Sequence, residues 1–129
     1  LKKVEEDSII AIHDGVRPLV SKNLIDRLIG ASKKGNGIIP VVAVKDSIRK
    51  VEGYKSKAVS RSNLYKVQTP QCFFASTLKD AYKQNFSLFF TDDASVLESN
   101  GGKIITIIGE EKNLKITTEE DLMLAEALI

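Results

Sequence analysis

Asp14 closes an apolar run, Ser8-Ile9-Ile10-Ala11-Ile12-His13, and is followed by Gly15-Val16-Arg17-Pro18. A run without polar alternation reads as a fully buried strand of a parallel sheet with helices over both faces. Ligands of such sheets sit beyond the carboxyl ends of the strands. Asp14 is therefore expected where chemistry happens. A carboxylate there suits Mg²⁺, which takes few protein carboxylates and several phosphate oxygens. Asp is equally a turn former, and one residue does not separate the two readings. Gly15 allows a sharp turn or a close ligand, and Pro18 stops the strand. His13 reads as a packed or hydrogen-bonded residue, because the chain has no second His to share a metal. Arg17 could grip a phosphate or carboxylate with its planar fork, or make a surface ion pair.

Lys115 stands between Leu114 and Ile116, just ahead of a helix start. An anion partner would give that lysine a reason to be there, and a compact ammonium suits phosphate. The competing reading is a solvated lysine, as most are. Thr91-Asp92-Asp93 reads first as a helix start, with a cap followed by acids that the dipole favours. The same N-terminus could take a phosphate through free N–H groups, but two adjacent acids argue against it. No pairing of a nucleophile with a base is visible; the candidates are cations and hydroxyls.

The elements that must position these residues alternate. After the strand, Ser21 caps a helix expected over Lys22–Lys34, with Leu24, Ile25, Leu28 and Ile29 as one stripe and Lys33-Lys34-Gly35 as its stop. Ile38–Val44 is expected as a second strand despite Pro40, which cannot donate to a ladder. Strand, helix and strand imply a right-handed parallel crossover. Between Lys45 and Ser60 the character changes. Two β-prone pieces, Ser47–Val51 and Lys57–Ser60, flank a loop at Glu52–Ser56, and so polar a hairpin needs something to lean on, such as another subunit. Gln68-Thr69-Pro70-Gln71 is a loop in which Pro70 holds Thr69 extended. Ser76 is expected to cap a helix running to about Asn85 with Leu78, Ala81 and Tyr82 inward. A short helix follows from Thr91 to Ser99, ended by Asn100-Gly101-Gly102. Lys103–Ile108 is a strand, and Asn113–Ile116 a short extended piece. Thr117 with Glu120 forms a capping box for a last helix with Leu122, Leu124, Ala125 and Leu128 apolar. This alternation says α/β, with a mainly parallel sheet and flanking helices.

The 129 residues are 43% hydrophobic and 28% charged, enough for one domain with a core. A net charge of +2 with interspersed signs leaves no nucleic-acid footprint. The single cysteine, Cys72, excludes an internal disulfide and fits a reducing cytoplasm. No apolar run approaches the roughly 18 residues of a membrane span, and no signal peptide is visible. The polar lead-in from Leu1, reaching a core strand at once, suggests a fragment or a processed product.

Five short motifs occur in one order: Ile12-His13-Asp14-Gly15-Val16-Arg17-Pro18, Val44-Lys45-Asp46-Ser47-Ile48-Arg49, Gln68-Thr69-Pro70-Gln71, Thr91-Asp92-Asp93-Ala94-Ser95 and Asn113-Leu114-Lys115-Ile116-Thr117. The series resembles the 2-C-methyl-D-erythritol 4-phosphate cytidylyltransferase family, from about Ile9 to Leu128. The resemblance implies a single partial domain over residues 1–129 with a nucleotide-diphospho-sugar transferase, Rossmann-like fold and a β-arm at about 45–60. The family's glycine-rich, CTP-gripping loop has no counterpart here, so this chain alone is expected to be inactive. The resemblance implies CTP and methylerythritol phosphate as substrates, Mg²⁺ as cofactor and a cytoplasmic homodimer joined through the arm. Asp14 would help hold the metal and position the sugar phosphate. Arg17, Thr69, Thr91 and Lys115 would line the substrate pocket, with Lys115 beside Asp14 in catalysis. Ser47, where the family usually has Thr, and Arg61 would reach the partner's site from the arm. Gly15-Val16 stands where Ala-Ala is common. Ribitol-5-phosphate cytidylyltransferase shares several of the motifs and is the nearest alternative; Asp92-Asp93-Ala94-Ser95 favours the erythritol enzyme. A non-enzymatic α/β interaction module is the other alternative.

Overall fold

A computed structural model describes all 129 residues. In chain order the elements are β1 (Ile9–Ile12), α1 (Lys22–Ala31), β2 (Asn36–Ala43), β3 (Ile48–Glu52), β4 (Lys55–Val59), β5 (Tyr65–Val67), β6 (Gln71–Phe74), α2 (Ala75–Ala81), α3 (Asp93–Ser99), β7 (Lys103–Ile108) and α4 (Glu119–Leu128). The α/β architecture with flanking helices and a separate β3–β4 arm agrees with the sequence. The sheet itself is mixed. β2 and β7 pair in parallel, whereas β6 lies between β1 and β2, antiparallel to both. The strands on either side of α1 do run the same way, with one strand inserted between them.

β2 is the centre of the sheet. Its apolar run Gly37–Val42 is buried, as a strand covered on both faces requires. β7 takes one edge of β2, and β6 and β5 share the other. Gly37↔Phe73 and Ile38↔Cys72 set one register; Val41↔Val67 sets the next. Four residues, Gln68–Gln71, thus stand opposite two, Ile39 and Pro40. This is a bulge, which bends a strand and re-aims its side chains. Pro40 is tolerated mid-sheet for the same reason. Its carbonyl accepts from Gln68 N at 2.9 Å, so the N–H it lacks would face the bulge and not the β7 ladder.

β1 is half-buried, not fully buried, because β6 is its one strand partner in this chain. Ser21 Oγ accepts from Leu24 N as expected, but α1 stops at Ala31. The hairpin turns in two residues, Gly53-Tyr54, because Gly53 adopts φ 60°. Ser76 does not cap α2; Phe74 holds that position without a side-chain bond, and Tyr82 is half-exposed. Asp92, with Ser95, caps α3, and Thr118, with Asp121, caps α4, one residue later than read in each case. The extended piece Asn113–Ile116 pairs in no sheet and is part of the loop after β7. In α4 only Ala125 is buried, while Leu122, Leu124 and Leu128 are about half-exposed. The core has three clusters: Phe73, Leu78, Ala81, Val96 and Leu97; Leu24, Leu28, Ile38 and Cys72; and Ile39, Val41 and Ala94.

Candidate functional site

β1 delivers His13 and Asp14 just past its carboxyl end, where Ile12 pairs with Gln71 at the edge of the bulge. The bulge turns Thr69 towards them. Thr69 Oγ1 accepts from Asp14 N at 3.0 Å and lies 2.9 Å from His13 Nδ1. His13 Nε2 lies 2.9 Å from the Arg17 carbonyl. The sequence shows no pairing of a nucleophile with a base; the structure adds a Thr69–His13 hydrogen bond across 56 positions, which only the fold brings together.

Arg17 is 9% exposed. Its guanidinium donates to Asn113 O at 2.8 Å, to Val67 O at 3.5 Å and to Asp14 Oδ2 at 3.2 Å. A buried charge needs such partners, since leaving it bare is costly. Lys115 Nζ stands 3.6 Å from the same Asp14 oxygen, with half its side chain exposed. Arg17 and Lys115 line a cleft of about 210 Å³ together with Lys66, Gln68, Glu111 and Leu114. The Lys45 ammonium pairs with Glu111 and holds its carboxyl below the usual value. The cleft is left with a surplus of positive charge, suited to a phosphate.

Three residues that the sequence reading did not single out hold this geometry. Gln68 is 4% exposed and Asn113 fully buried. The Gln68 amide clips the loop: Nε2 donates to the carbonyls of Glu110 and Asn113, and Oε1 accepts from Glu110 N. Asn113 Nδ2 donates to the Thr69 carbonyl at 2.8 Å. Gln71 ties the other end, donating to Asp92 Oδ2 and accepting from Ala94 N. The available signal was the placing of amides on either side of Thr69-Pro70 and ahead of Leu114; amides there can satisfy loop backbone groups that would otherwise be buried unpaired.

Asp14, Arg17, Thr69 and Lys115 are brought together. The other expected site residues are not. Thr91 precedes α3 and lines a separate cleft with Tyr82, Phe86 and Phe90, although Gln71 and Asp92 connect it to the bulge. Ser47 and Arg61 sit at the base of the arm beside Ile48 and Val59, and Arg61 donates to the Lys45 carbonyl. No group of three His, Cys, Asp or Glu side chains forms a metal cage. Asp14 could supply one carboxylate to a Mg²⁺ whose other ligands are phosphate oxygens and water. Cys72 is buried and its thiol is pushed up to about 11, so it packs and does not react.

The sequence matches the family IspD, 2-C-methyl-D-erythritol 4-phosphate cytidylyltransferase, over residues 1–129. The chain belongs to this family. A 2-C-methyl-D-erythritol 4-phosphate cytidylyltransferase of Azobacteroides pseudotrichonymphae is 45% identical over 132 residues, covering 100% of this chain and 59% of that protein. The Bacteroides fragilis counterpart is 45% identical over 94% of this chain and 55% of its own length. The crystal structure of the Francisella tularensis IspD superposes with a TM-score of 0.87 at 30% identity, over 100% of this chain and 63% of that one. That of the Thermus thermophilus enzyme gives 0.82 at 34% identity, over 93% and 61%. This chain thus spans under two thirds of the length of these IspD relatives. No helix in it is long and apolar enough to cross a membrane.

Asn113→Ala removes the bond to the part-buried Thr69 carbonyl and leaves that acceptor without its protein partner. Urea unfolding should show a loss of about 1–3 kcal/mol. An unchanged midpoint would mean that the loop does not depend on this amide.

Proposed function

We propose that the intact protein transfers a cytidylyl group from CTP to 2-C-methyl-D-erythritol 4-phosphate, a step of non-mevalonate isoprenoid biosynthesis in the cytoplasm. Family membership supports the reaction. The observation that carries the site assignment is the half-exposed Lys115 ammonium, held beside the buried Arg17 by one Asp14 oxygen at a strand end. In this reading the substrate phosphate attacks the α-phosphorus of CTP in line, and pyrophosphate leaves. The phosphate is already ionised, since its second pKa is about 6, so no general base is needed. Lys115 binds and aligns the phosphate, Arg17 adds positive charge and is itself fixed by carbonyls, and Asp14 orients both. Thr69 would complete the pocket, whereas Thr91 lines a separate cleft joined to the bulge through Gln71 and Asp92. The Mg²⁺ expected from the resemblance would accompany the triphosphate, with Asp14 as a protein carboxylate to hold it.

Turnover of CTP and the sugar phosphate by the full-length enzyme tests the assignment. Asp14→Asn should lower it on the order of 10²-fold or more, as loss of one electrostatic group does. Lys115→Met should weaken sugar-phosphate binding about tenfold to a hundredfold, from loss of a charge-assisted bond. Near-normal kinetics in both folded variants would reject these roles. A preference for ribitol phosphate would move the enzyme to the alternative substrate.

The reading also has the arm join two copies. Its outward strands are almost wholly exposed, and a two-stranded hairpin is marginal unsupported. In a two-fold dimer Ser47 and Arg61 of each copy would serve the other's site. Mixed dimers of full-length Arg61→Ala and Lys115→Ala chains should then regain up to about half of wild-type activity, because one site escapes both changes. No recovery after demonstrated subunit exchange would reject the crossed arm.

A further inference from the structure

His13 touches the site without facing the cleft, and its two ring nitrogens decide what Thr69 can recognise. The Arg17 carbonyl, 2.9 Å from His13 Nε2, can only accept. In the neutral ring, Nε2 therefore carries the hydrogen and Nδ1 keeps its lone pair. The Thr69 hydroxyl, 2.9 Å from Nδ1, must spend its single hydrogen there. One lone pair of Thr69 Oγ1 already receives the Asp14 N–H at 3.0 Å. What remains on Oγ1 is one acceptor position and no hydrogen.

We propose that His13 is a positioning residue that fixes Thr69 Oγ1 as an acceptor, so that Thr69 recognises a hydroxyl of the polyol substrate and not its phosphate. This rests on the polyol-phosphate reading above and specifies how the two ends of that substrate are told apart. An ionised phosphate offers only acceptors, so it has nothing to give the remaining lone pair; a substrate hydroxyl can donate to it. The phosphate is left to the cleft's cations, Arg17 and Lys115, whose charge-assisted bonds are the stronger kind. One substrate end thus meets donors and the other an acceptor, which sets its direction in the site. The same arrangement denies Thr69 a nucleophilic role. Its oxygen is held by the Asp14 amide and by His13, and the proposed substrate brings its own ionised nucleophile.

Two measurements on the full-length protein test this. The first is the ¹⁵N spectrum of His13 at neutral pH, which needs no substrate. It should show the hydrogen on Nε2; a hydrogen on Nδ1 would overturn the proposal. The second is a double-mutant cycle in KM for methylerythritol phosphate. Thr69→Val should raise KM about tenfold, the effect of one neutral hydrogen bond, with kcat nearly unchanged. His13→Ala should raise KM by no more than this, and should add nothing in the Thr69→Val background. His13→Asn, whose amide oxygen can accept from Thr69, should recover part of the loss. Independent, multiplying effects would mean that His13 acts otherwise than through Thr69. A fall of several orders of magnitude in kcat for Thr69→Val would point to a nucleophile instead. Wild-type enzyme inactive on this substrate would refute the functional reading separately, while the ring spectrum would still decide the placing of the proton.

Discussion

The structure depends most on one buried cation. Arg17 cannot leave its guanidinium unpaired in a site only 9% exposed, and the groups that satisfy it come from three places in the chain. Two are main-chain carbonyls, of Val67 and Asn113, and the third is the Asp14 carboxylate. Meeting these demands fixes where β5 ends, where the loop after β7 returns and which way Asp14 points. The catalytic-looking charges are consequences of that requirement. Lys115 follows because it lies two residues beyond the carbonyl that Arg17 holds, and Ile116 N donates to Val16 O at 2.9 Å to close the loop onto the β1 end.

The bulge opposite Pro40 supplies the other constraint. Two extra residues in the β5–β6 line push Thr69 out of the ladder and bring it to His13 and Asp14. Gln68, at the start of the bulge, spends its side-chain amide on the backbone of Glu110 in the loop after β7. Proline in β2 and amides in the facing strand are thus two sides of one arrangement. A central strand that could pair fully would leave no place for the site.

Much of this was legible in the sequence. The apolar run before Asp14, the Ser21 cap, the lysine at the last loop and the β-prone arm all have local physical signatures, and they fall where those signatures put them. The failures share a cause. Ladder direction depends on which distant strand inserts, so Gln71–Phe74 could not be seen entering between β1 and β2. Helix caps slid by one residue because Thr91 and Asp92, or Thr117 and Thr118, are equivalent as local signals, and Ser95 and Asp121 decided between them. The Thr69–His13 contact and the role of Asn113 depend on packing across more than 40 positions, which periodicity does not record. Thr91, Ser47 and Arg61 were named by resemblance, and a single copy of the chain does not gather them.

The Asn113 carbonyl that pairs Arg17 also accepts from Gln68, and the Gln68 amide holds the loop that carries Lys115 in place for that cation. Hydrogen exchange in the full-length protein, wild type against Gln68→Leu, reads this dependence. The amides of Glu110 and Ile116 should exchange about tenfold faster in the variant, the loss of one or two net hydrogen bonds, while the β2–β7 ladder keeps its protection. Equal protection at Glu110 and Ile116 in the two proteins would contradict it.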